Sequence, residues 1–432
     1  MKCLTQGVFV ALCCVGFMGC QTSLPSLEIG VAVIDITPKD VVAHDPLHVK
    51  ALVFRQGDET AALVVCDLIN VRAEMTTQAR KSAADQTGIP VQNITITASH
   101  THKSRIQRDG IADKIVQAIM AAKVAAVPVR LQTVTSEQYG LSFNRRFLMK
   151  DGSVRMNPGY LNPDVVRPMG PIDPEVQFVM IRRAVDNTPM AALTNFSLHL
   201  DTVRDHKDLS ADYPYFMEES LREDLGADFI SVFGTAPCGN INHLDVLGGK
   251  QLPTSYIGNT LAATIKSVLP NMVDERSGMG VRSEVLQVPL QDFTPEEINW
   301  AHDKQAPPLV EERSFLEGMR RRKLMSLEEL REQHGDTMPL AVHVFRLGAE
   351  TAIVTLPGEV FVELGMALKD ASPFANTLVL ELANDHPSYV PNKEAFVEGD
   401  YEVVNSRLIP GGGEMLVEAA VRMLKELKAE PL

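Results

Sequence analysis

Two histidines stand one residue apart in the stretch Thr97-Ala98-Ser99-His100-Thr101-His102, out of eleven histidines in the chain. Imidazole is the commonest metal ligand and a frequent acid–base group. The preceding run, from Val91 to Thr97, alternates apolar and polar residues as a half-buried strand does. On an extended backbone, side chains two apart point the same way, so both rings would face one cavity at a strand end. The pair alone is consistent with a metal site or with two hydrogen-bonded turn residues.

Other polar groups follow predicted strands elsewhere in the chain. His199 ends an apolar run, where a single histidine is more often structural, and Asp212 stands near a helix start that favours a carboxylate. The polar loop 239–243 and Pro357-Gly358-Glu359 also follow apolar strands. From residue types alone, each of these is either a site residue or part of an ordinary turn.

The elements that must position these residues alternate between strand and helix. Strands are predicted at 48–55 and 60–68, a helix at 76–87, the histidine strand at 91–97, and a helix at 110–125. This order predicts an α/β fold with layered mixed β-sheets flanked by helices. Length alone allows roughly two or three domains, and the predicted organisation is a single large catalytic domain at 29–432. Residues 294–333, rich in Glu, Arg, Lys and Leu, are predicted to form a helical surface insertion, solvated rather than partner-binding.

Composition excludes some partners. The formal net charge is -14, so nothing indicates a nucleic-acid partner or an electrostatic membrane footprint. Two cysteines, Cys66 and Cys238, lie outside the leader and lack metal-binding spacing. They are predicted to be buried free thiols, although one disulfide between them is also possible from the sequence.

The first twenty residues have the pattern of an export signal. Lys2 precedes an apolar run from Gly7 to Gly19, which is too short to span a bilayer comfortably. The run ends at Cys20 in a lipobox-like sequence, so residues 1–20 are predicted to be a signal peptide and 21–28 a tether. The expected location is the bacterial cell envelope, periplasmic or outer surface, with a lipid anchor on Cys20 rather than a transmembrane helix. Simple secretion is the second choice.

Eight motifs, in order over nearly all of residues 26–428, resemble the amino-terminal domain family of neutral/alkaline non-lysosomal ceramidases. They are Ile34-Asp35-Ile36-Thr37-Pro38, Thr97 to His102, Phe143-Asn144-Arg145, His199, Ser210-Ala211-Asp212, Gly239-Asn240, Pro357-Gly358-Glu359 and Ser388-Tyr389-Val390-Pro391.

The resemblance implies a zinc ion held by His100, His199, Glu359 and Tyr389, with His102 and Arg145 beside the metal. Bound zinc can lower the pKa of a water molecule to about 7. The implied function is a zinc-dependent hydrolase that cleaves an N-acyl, ceramide-like amide by metal-activated water. Arg145 or His102 would hydrogen-bond the developing oxyanion, and Tyr389 would serve as a ligand, a donor or an acid.

Three departures from the family pattern bear on the substrate. Asn242 stands where the family has a serine, and an amide can bind a substrate but cannot be a nucleophile. The resemblance leaves no residues for the family's carboxyl-terminal immunoglobulin-like domain. Lys103 stands where the family commonly has Ser-Gly, and with Arg105, Arg145 and Arg146 it suggests an anionic substrate.

These departures keep two alternatives open. One is a zinc-dependent carbohydrate-active enzyme, a deacetylase or a lyase on acidic sugars, so that the small-molecule partner is a lipid or a glycan. The other is a binding lipoprotein without catalytic activity. An apolar tunnel would favour a lipid amide as the substrate, and an open cleft lined by Arg and Lys would favour an acidic glycan.

Overall fold

The computed structural model describes residues 25–104, 109–204, 209–310 and 313–432. The predicted signal peptide with Cys20, the first part of the tether, and Arg105 lie outside the described residues. Within the described ranges, no helix combines the length and the apolar character needed to cross a membrane.

The described residues form strands and helices throughout. The strands are β1 (Glu28–Asp35), β2 (His48–Gln56), β3 (Glu59–Cys66), β4 (Ile94–Ala98), β5 (Val127–Glu137), β6 (Phe143–Asn144), β7 (Arg146–Met149), β8 (Val154–Met156), β9 (Val165–Pro168), β10 (Glu175–Arg183), β11 (Pro189–Phe196), β12 (Ile230–Thr235), β13 (Ile241–Asn242), β14 (Leu244–Asp245), β15 (Lys250–Gln251), β16 (Val273–Glu275), β17 (Ser277–Pro289), β18 (Thr337–Gly348), β19 (Thr351–Thr355), β20 (Glu359–Val360), β21 (Asn376–Leu380) and β22 (Tyr389–Val390). The helices are α1 (Ala73–Thr87), α2 (Ile111–Val124), α3 (Tyr213–Leu225), α4 (Thr254–Val268), α5 (Pro295–His302), α6 (Ser314–His334), α7 (Val362–Ala371), α8 (Ala395–Glu398), α9 (Tyr401–Asn405) and α10 (Gly412–Ala429).

Two sheets form the centre of the fold. The larger has nine strands in the order β12-β11-β10-β5-β1-β2-β3-β4, with β16 pairing to β5. The smaller has the order β17-β18-β19-β21. Parallel pairs occur at β11 with β12, β3 with β4, and β19 with β21, and the other pairs in these sheets are antiparallel. Both sheets are therefore mixed.

The period-two alternation of β2 shows how the layers stack. Val49, Ala51 and Val53 pack with α1 and α2, whereas Leu52 and Phe54 join the core between the two sheets. Side chains of a strand alternate between faces, so each face of β2 has its own apolar partner. The same division occurs on β18 of the other sheet.

Helices cover both outer faces. Apolar side chains of α3 and α4 pack on β10 to β12, and those of α7 and α10 pack on the smaller sheet. The result is a layered arrangement of helices, sheet, sheet and helices, which confirms the predicted fold class of mixed sheets flanked by helices.

Some predicted elements differ from the structure. The histidine strand starts at Ile94 because Val91–Asn93 forms a 3₁₀ turn. It is buried on both faces rather than half-buried, since it lies between a helical layer and the second sheet, where Thr95 Oγ1 is 3.2 Å from Thr355 Oγ1. Residues 154–168 contain two short strands, β8 and β9, which pair with β7.

Two other predictions agree with the structure. Cys66 and Cys238 are both buried and free. Within 294–333 the chain forms α5 and most of α6, and α5 begins with a capping box between Thr294 and Glu297.

Candidate metal centre

His100 and His102 leave the end of β4 along a path that is not extended. His100 has a φ of 74°, in the left-handed region, so the expectation of an extended chain through the pair is wrong. The His100 N–H donates to Leu68 O at 2.9 Å, and the His102 N–H donates to Leu200 O at 2.9 Å. These backbone bonds hold the pair against the ends of β3 and β11, and both rings still face one centre.

The rings of His100 and His199 are oriented in the same way. His100 Nδ1 lies 2.6 Å from Ile69 O, and His199 Nδ1 lies 2.9 Å from Cys238 O. A carbonyl can only accept, so each Nδ1 carries the proton and each Nε2 keeps its lone pair. Metal-binding histidines are commonly fixed by such a bond. Both side chains are almost fully buried.

Glu359 completes this arrangement. Its Oε2 lies 3.5 Å from His100 Nε2 and 3.5 Å from His199 Nε2, while its Oε1 lies 3.2 Å from His386 Nε2. Burial alone would raise the pKa of the Glu359 carboxyl, yet the adjacent histidines hold it well below its usual range. Glu359 Oε2 and His100 Nε2 are buried and have no hydrogen-bond partner among the described residues.

Tyr389 reaches the centre from the neighbouring strand. β20 and β22 are parallel, and Glu359 is the register partner of Tyr389. The two side chains therefore lie on one face of this strand pair. Burial and the Glu359 carboxylate raise the pKa of Tyr389 well above its usual value, so the phenol keeps its proton.

His102 lies beside these residues and lines the adjoining pocket. Ligand atoms of His100, His102 and His199 all lie within 4.8 Å of one another. The geometry thus also offers His102 as a ligand, although the resemblance places it next to the metal. Burial and the neighbouring His100 lower the pKa of His102 to about 3, so its ring is neutral at neutral pH.

Arg145 is held rigidly at the edge of the centre. Its Nε donates to Glu402 Oε1 at 2.8 Å, its Nη2 to Gly239 O at 2.6 Å, and its Nη1 lies 3.2 Å from His199 Nε2. Its guanidinium carbon is 5.3 Å from the centre of the Tyr389 ring. Burial opposes the charge, but the neighbouring Tyr389 and Glu402 raise the pKa of Arg145, which remains a cation.

The structure does not gather the basic residues into an anion-binding cleft. Arg146 is buried and pairs with Glu402 and Glu398, each at 2.9 Å. Lys103 is buried and does not line the pocket. The prediction of an anionic substrate rested on several basic residues. Among those that the structure describes, Arg145 alone lines the pocket, and it is paired with Glu402.

A pocket of about 220 Å³ opens beside the metal centre. Asn242, the residue at the position of the family serine, is part of its wall. The pocket is lined by His102, Arg145, Met156, Asn157, His199, Asp201, Asn242, His243, Leu244, Phe315, Tyr389 and Tyr401.

Several residues of the site were missed by sequence reasoning. His386 stands three residues before Tyr389 of the Ser388-Tyr389-Val390-Pro391 motif, so its position was the available signal. Glu402, fully buried between Arg145 and Arg146, has no local pattern that could have revealed it. Phe315 reaches the pocket from the first turn of α6, in the predicted surface insertion.

The donor atoms fit a zinc ion. Ligand atoms about 2.0–2.1 Å from zinc in tetrahedral geometry lie roughly 3.3–3.4 Å apart, close to the 3.5 Å between Glu359 Oε2 and each of the two Nε2 atoms. Two of these three buried atoms have no hydrogen-bond partner within the described ranges, which is costly unless a cation satisfies them. Two imidazoles and one carboxylate are also a donor set that zinc accepts with a position left open.

Two solved structures share this fold. A neutral ceramidase from Pseudomonas aeruginosa is 18% identical, with a TM-score of 0.69 over 94% of this chain and 76% of that chain. A ceramidase complexed with C2 is 16% identical, with the same TM-score and the same coverage. At such low identity the similarity establishes a ceramidase-like fold. No family profile and no curated protein sequence matches the chain.

Proposed function

We propose that the protein is a zinc-dependent hydrolase of the bacterial cell envelope that cleaves an N-acyl amide bond. The observation that carries the proposal is the placement of Glu359 Oε2 at 3.5 Å from both His100 Nε2 and His199 Nε2. The envelope location rests on the leader and the lipobox-like Cys20 in the sequence.

His100, His199 and Glu359 would hold the metal, with Tyr389 next to Glu359. When bound there, zinc would polarise a carbonyl group and lower the pKa of a water molecule. His386 fixes the carboxylate through Oε1, which leaves Oε2 directed at the two imidazoles. The ligand side chains are therefore already in place before a cation binds, so binding requires little reorganisation of the protein.

Arg145 is suited to stabilise negative charge. Amide hydrolysis develops charge on the carbonyl oxygen, and donors already held in place stabilise it most effectively. Glu402 and Gly239 O fix two edges of the guanidinium, and Arg145 lines the pocket. A substrate oxygen in the pocket would meet this cation without prior reorganisation.

His102 and Tyr389 would orient the substrate. The neutral His102 ring offers one donor and one acceptor nitrogen, and the protonated Tyr389 hydroxyl offers a donor. Both line the pocket next to the metal ligands. They can hold the amide with its carbonyl toward Arg145, and Tyr389 can give a proton to the departing nitrogen.

Similarity to ceramidases supports an amide as the substrate. By their names, the two solved relatives act on ceramide, whose acyl chain is attached through an amide bond. Retention of the implied ligand residues argues for a catalytic role rather than binding alone.

The proposal is tested by metal analysis and by hydrolysis of a simple amide such as N-acetyl-4-nitroaniline. The purified protein should contain stoichiometric zinc, and chelation should abolish hydrolysis. Glu359→Gln should lower zinc affinity at least about tenfold, whereas Glu418→Gln, at an exposed position on α10, should bind zinc like wild type. Equal zinc content and activity in Glu359→Gln would refute the ligand assignment. Wild-type protein that binds zinc but hydrolyses no amide would refute the activity.

A further inference from the structure

The pocket beside the metal centre is small. Its volume of about 220 Å³ is below the roughly 300–1,000 Å³ of sites for drug-sized ligands. Met156, Leu244 and Phe315 are its apolar lining residues, and the others carry nitrogen or oxygen atoms. A volume of this size cannot enclose both chains of a two-chain lipid.

Asn157 and Asn242 form a fixed amide pair in the wall. Asn242 Nδ2 donates to Asn157 Oδ1 at 2.9 Å, and the Leu244 N–H donates to Asn242 Oδ1 at 3.0 Å. These bonds fix the orientation of both amides. Asn157 Nδ2 has no hydrogen-bond partner among the described residues, so it remains a donor at the pocket.

His243 supplies a second donor. It is 4% exposed, and its Nε2 lies 3.1 Å from Gln251 Nε2. The Gln251 amide nitrogen can only donate, so His243 Nε2 accepts and His243 Nδ1 carries the proton. That Nδ1 is buried without a partner in the described structure. A buried donor without a partner is costly, and an acceptor on a ligand would remove the cost.

An aromatic pair adds an apolar surface to the same pocket. The rings of Phe315 and Tyr401 are stacked, with centroids 5.5 Å apart and planes at 19°. Phe315 belongs to the first turn of α6, so the helical insertion contributes directly to the pocket. Flat aromatic faces suit the apolar face of a ring whose edges carry polar groups.

We propose that this pocket binds a small hydroxylated amide of amino-sugar size, with Asn157 and His243 bonding its hydroxyl oxygens and Phe315 and Tyr401 packing on its ring. The inference rests on the proposed function, since it names the substrate class of the same site. It disfavours a two-chain lipid, because the pocket is too small to enclose both chains.

The test compares two N-acetyl amides on the zinc-loaded full-length protein. N-acetylglucosamine and N-acetylsphingosine, the latter below its aggregation concentration, are titrated calorimetrically and assayed for kcat/KM. His243→Leu removes the Nδ1 donor, and His243→Asn places an amide N–H near the same position. His334→Leu, at an exposed position on α6, is the matched control. Thermal unfolding establishes that each variant is folded.

N-acetylglucosamine should bind more tightly and be hydrolysed with the higher kcat/KM. His243→Leu should weaken its binding about tenfold, the effect of one lost buried hydrogen bond, while His243→Asn and His334→Leu keep wild-type affinity. Tighter binding of N-acetylsphingosine, or unchanged sugar binding by a folded His243→Leu, would overturn the inference.

The outcomes also separate the two proposals. Hydrolysis that favours N-acetylsphingosine would refute the substrate class and leave the hydrolase function standing. Binding of N-acetylglucosamine through His243 without hydrolysis of any amide would support the subsite and refute the proposed activity.

Discussion

Glu402 is the anion that compensates two buried guanidinium groups next to the metal centre. It is 0% exposed and accepts from Arg145 Nε at 2.8 Å and from Arg146 Nη1 at 2.9 Å. Arg145 and Arg146 are themselves 5% and 1% exposed. Glu402→Ala removes the carboxylate that accepts from Arg145 Nε and from Arg146 Nη1. Arg146 then keeps the Glu398 carboxylate. Removing one partner of a buried ion pair costs about 3–5 kcal/mol, and we expect the free energy of unfolding to fall by that amount.

Glu398→Ala is the matched control for this prediction. The Glu398 side chain is 26% exposed and bonds Arg146 at 2.9 Å, while Arg146 keeps Glu402 and Gly399 O as partners. Because solvent screens this partly exposed pair, we expect the free energy of unfolding to fall by only about 0–1 kcal/mol. Each variant replaces one glutamate with alanine, so the two differ mainly in how deeply the lost carboxylate was buried.

Urea denaturation followed by circular dichroism measures both losses by linear extrapolation. Domains are typically stable by about 5–15 kcal/mol, so a loss of 3–5 kcal/mol shifts the midpoint without preventing folding in most of that range. Equal losses for Glu402→Ala and Glu398→Ala would refute the conclusion that burial of the charge decides the cost. Reversibility of unfolding must be established first.

Two further substitutions test the support of the metal ligands. His386→Ala frees Glu359 Oε1 and should weaken zinc binding about 10–100-fold; competition with a chromophoric chelator measures this, and unchanged affinity would contradict it. Gly239→Ala would place Cβ 2.5 Å from the Glu359 carbonyl oxygen, so the Glu359 backbone must move and hydrolysis should fall on the order of a hundredfold. Gly318→Ala on α6 is its control in the kcat/KM assay, because nothing lies within 4 Å of the added Cβ. Equal rates in the two variants would show that the backbone near Gly239 can move without affecting hydrolysis.

Much of the fold could be predicted because its strands and helices carry clear periodic patterns. The apolar run 61–66 lies in β3, and the helix predicted at 110–125 corresponds to α2. β17 could not be predicted in this way. It contains Gly278 and Gly280, its register shifts near its start, and its burial does not alternate regularly. Glycine and irregular burial weaken the pattern on which strand prediction depends.

The site was less accessible to residue patterns than the fold. His199 and Glu359 each followed an apolar strand, but residue types alone left both as site residues or as parts of turns. They face one another only because the segment after β11, in the larger sheet, meets the segment after β19, in the smaller sheet. This meeting depends on how the two sheets pack. Resemblance to a family supplied the pairing that local sequence could not. His386 and Glu402 act through neighbouring ligands and charges, so no motif marks them.

The backbone conformation of His100 explains why the prediction of an extended chain through the histidine pair was wrong. A non-glycine residue in the left-handed region costs roughly 1–2 kcal/mol, and such residues persist where surrounding contacts fix them. His100 has a φ of 74° and is fixed by bonds from its N–H to Leu68 O and from its Nδ1 to Ile69 O. Ser388, before Tyr389, has a φ of 71°. The departure from strand geometry at His100 therefore turns its Nε2 toward Glu359, and the strain is stored where the proposed chemistry requires a fixed ligand.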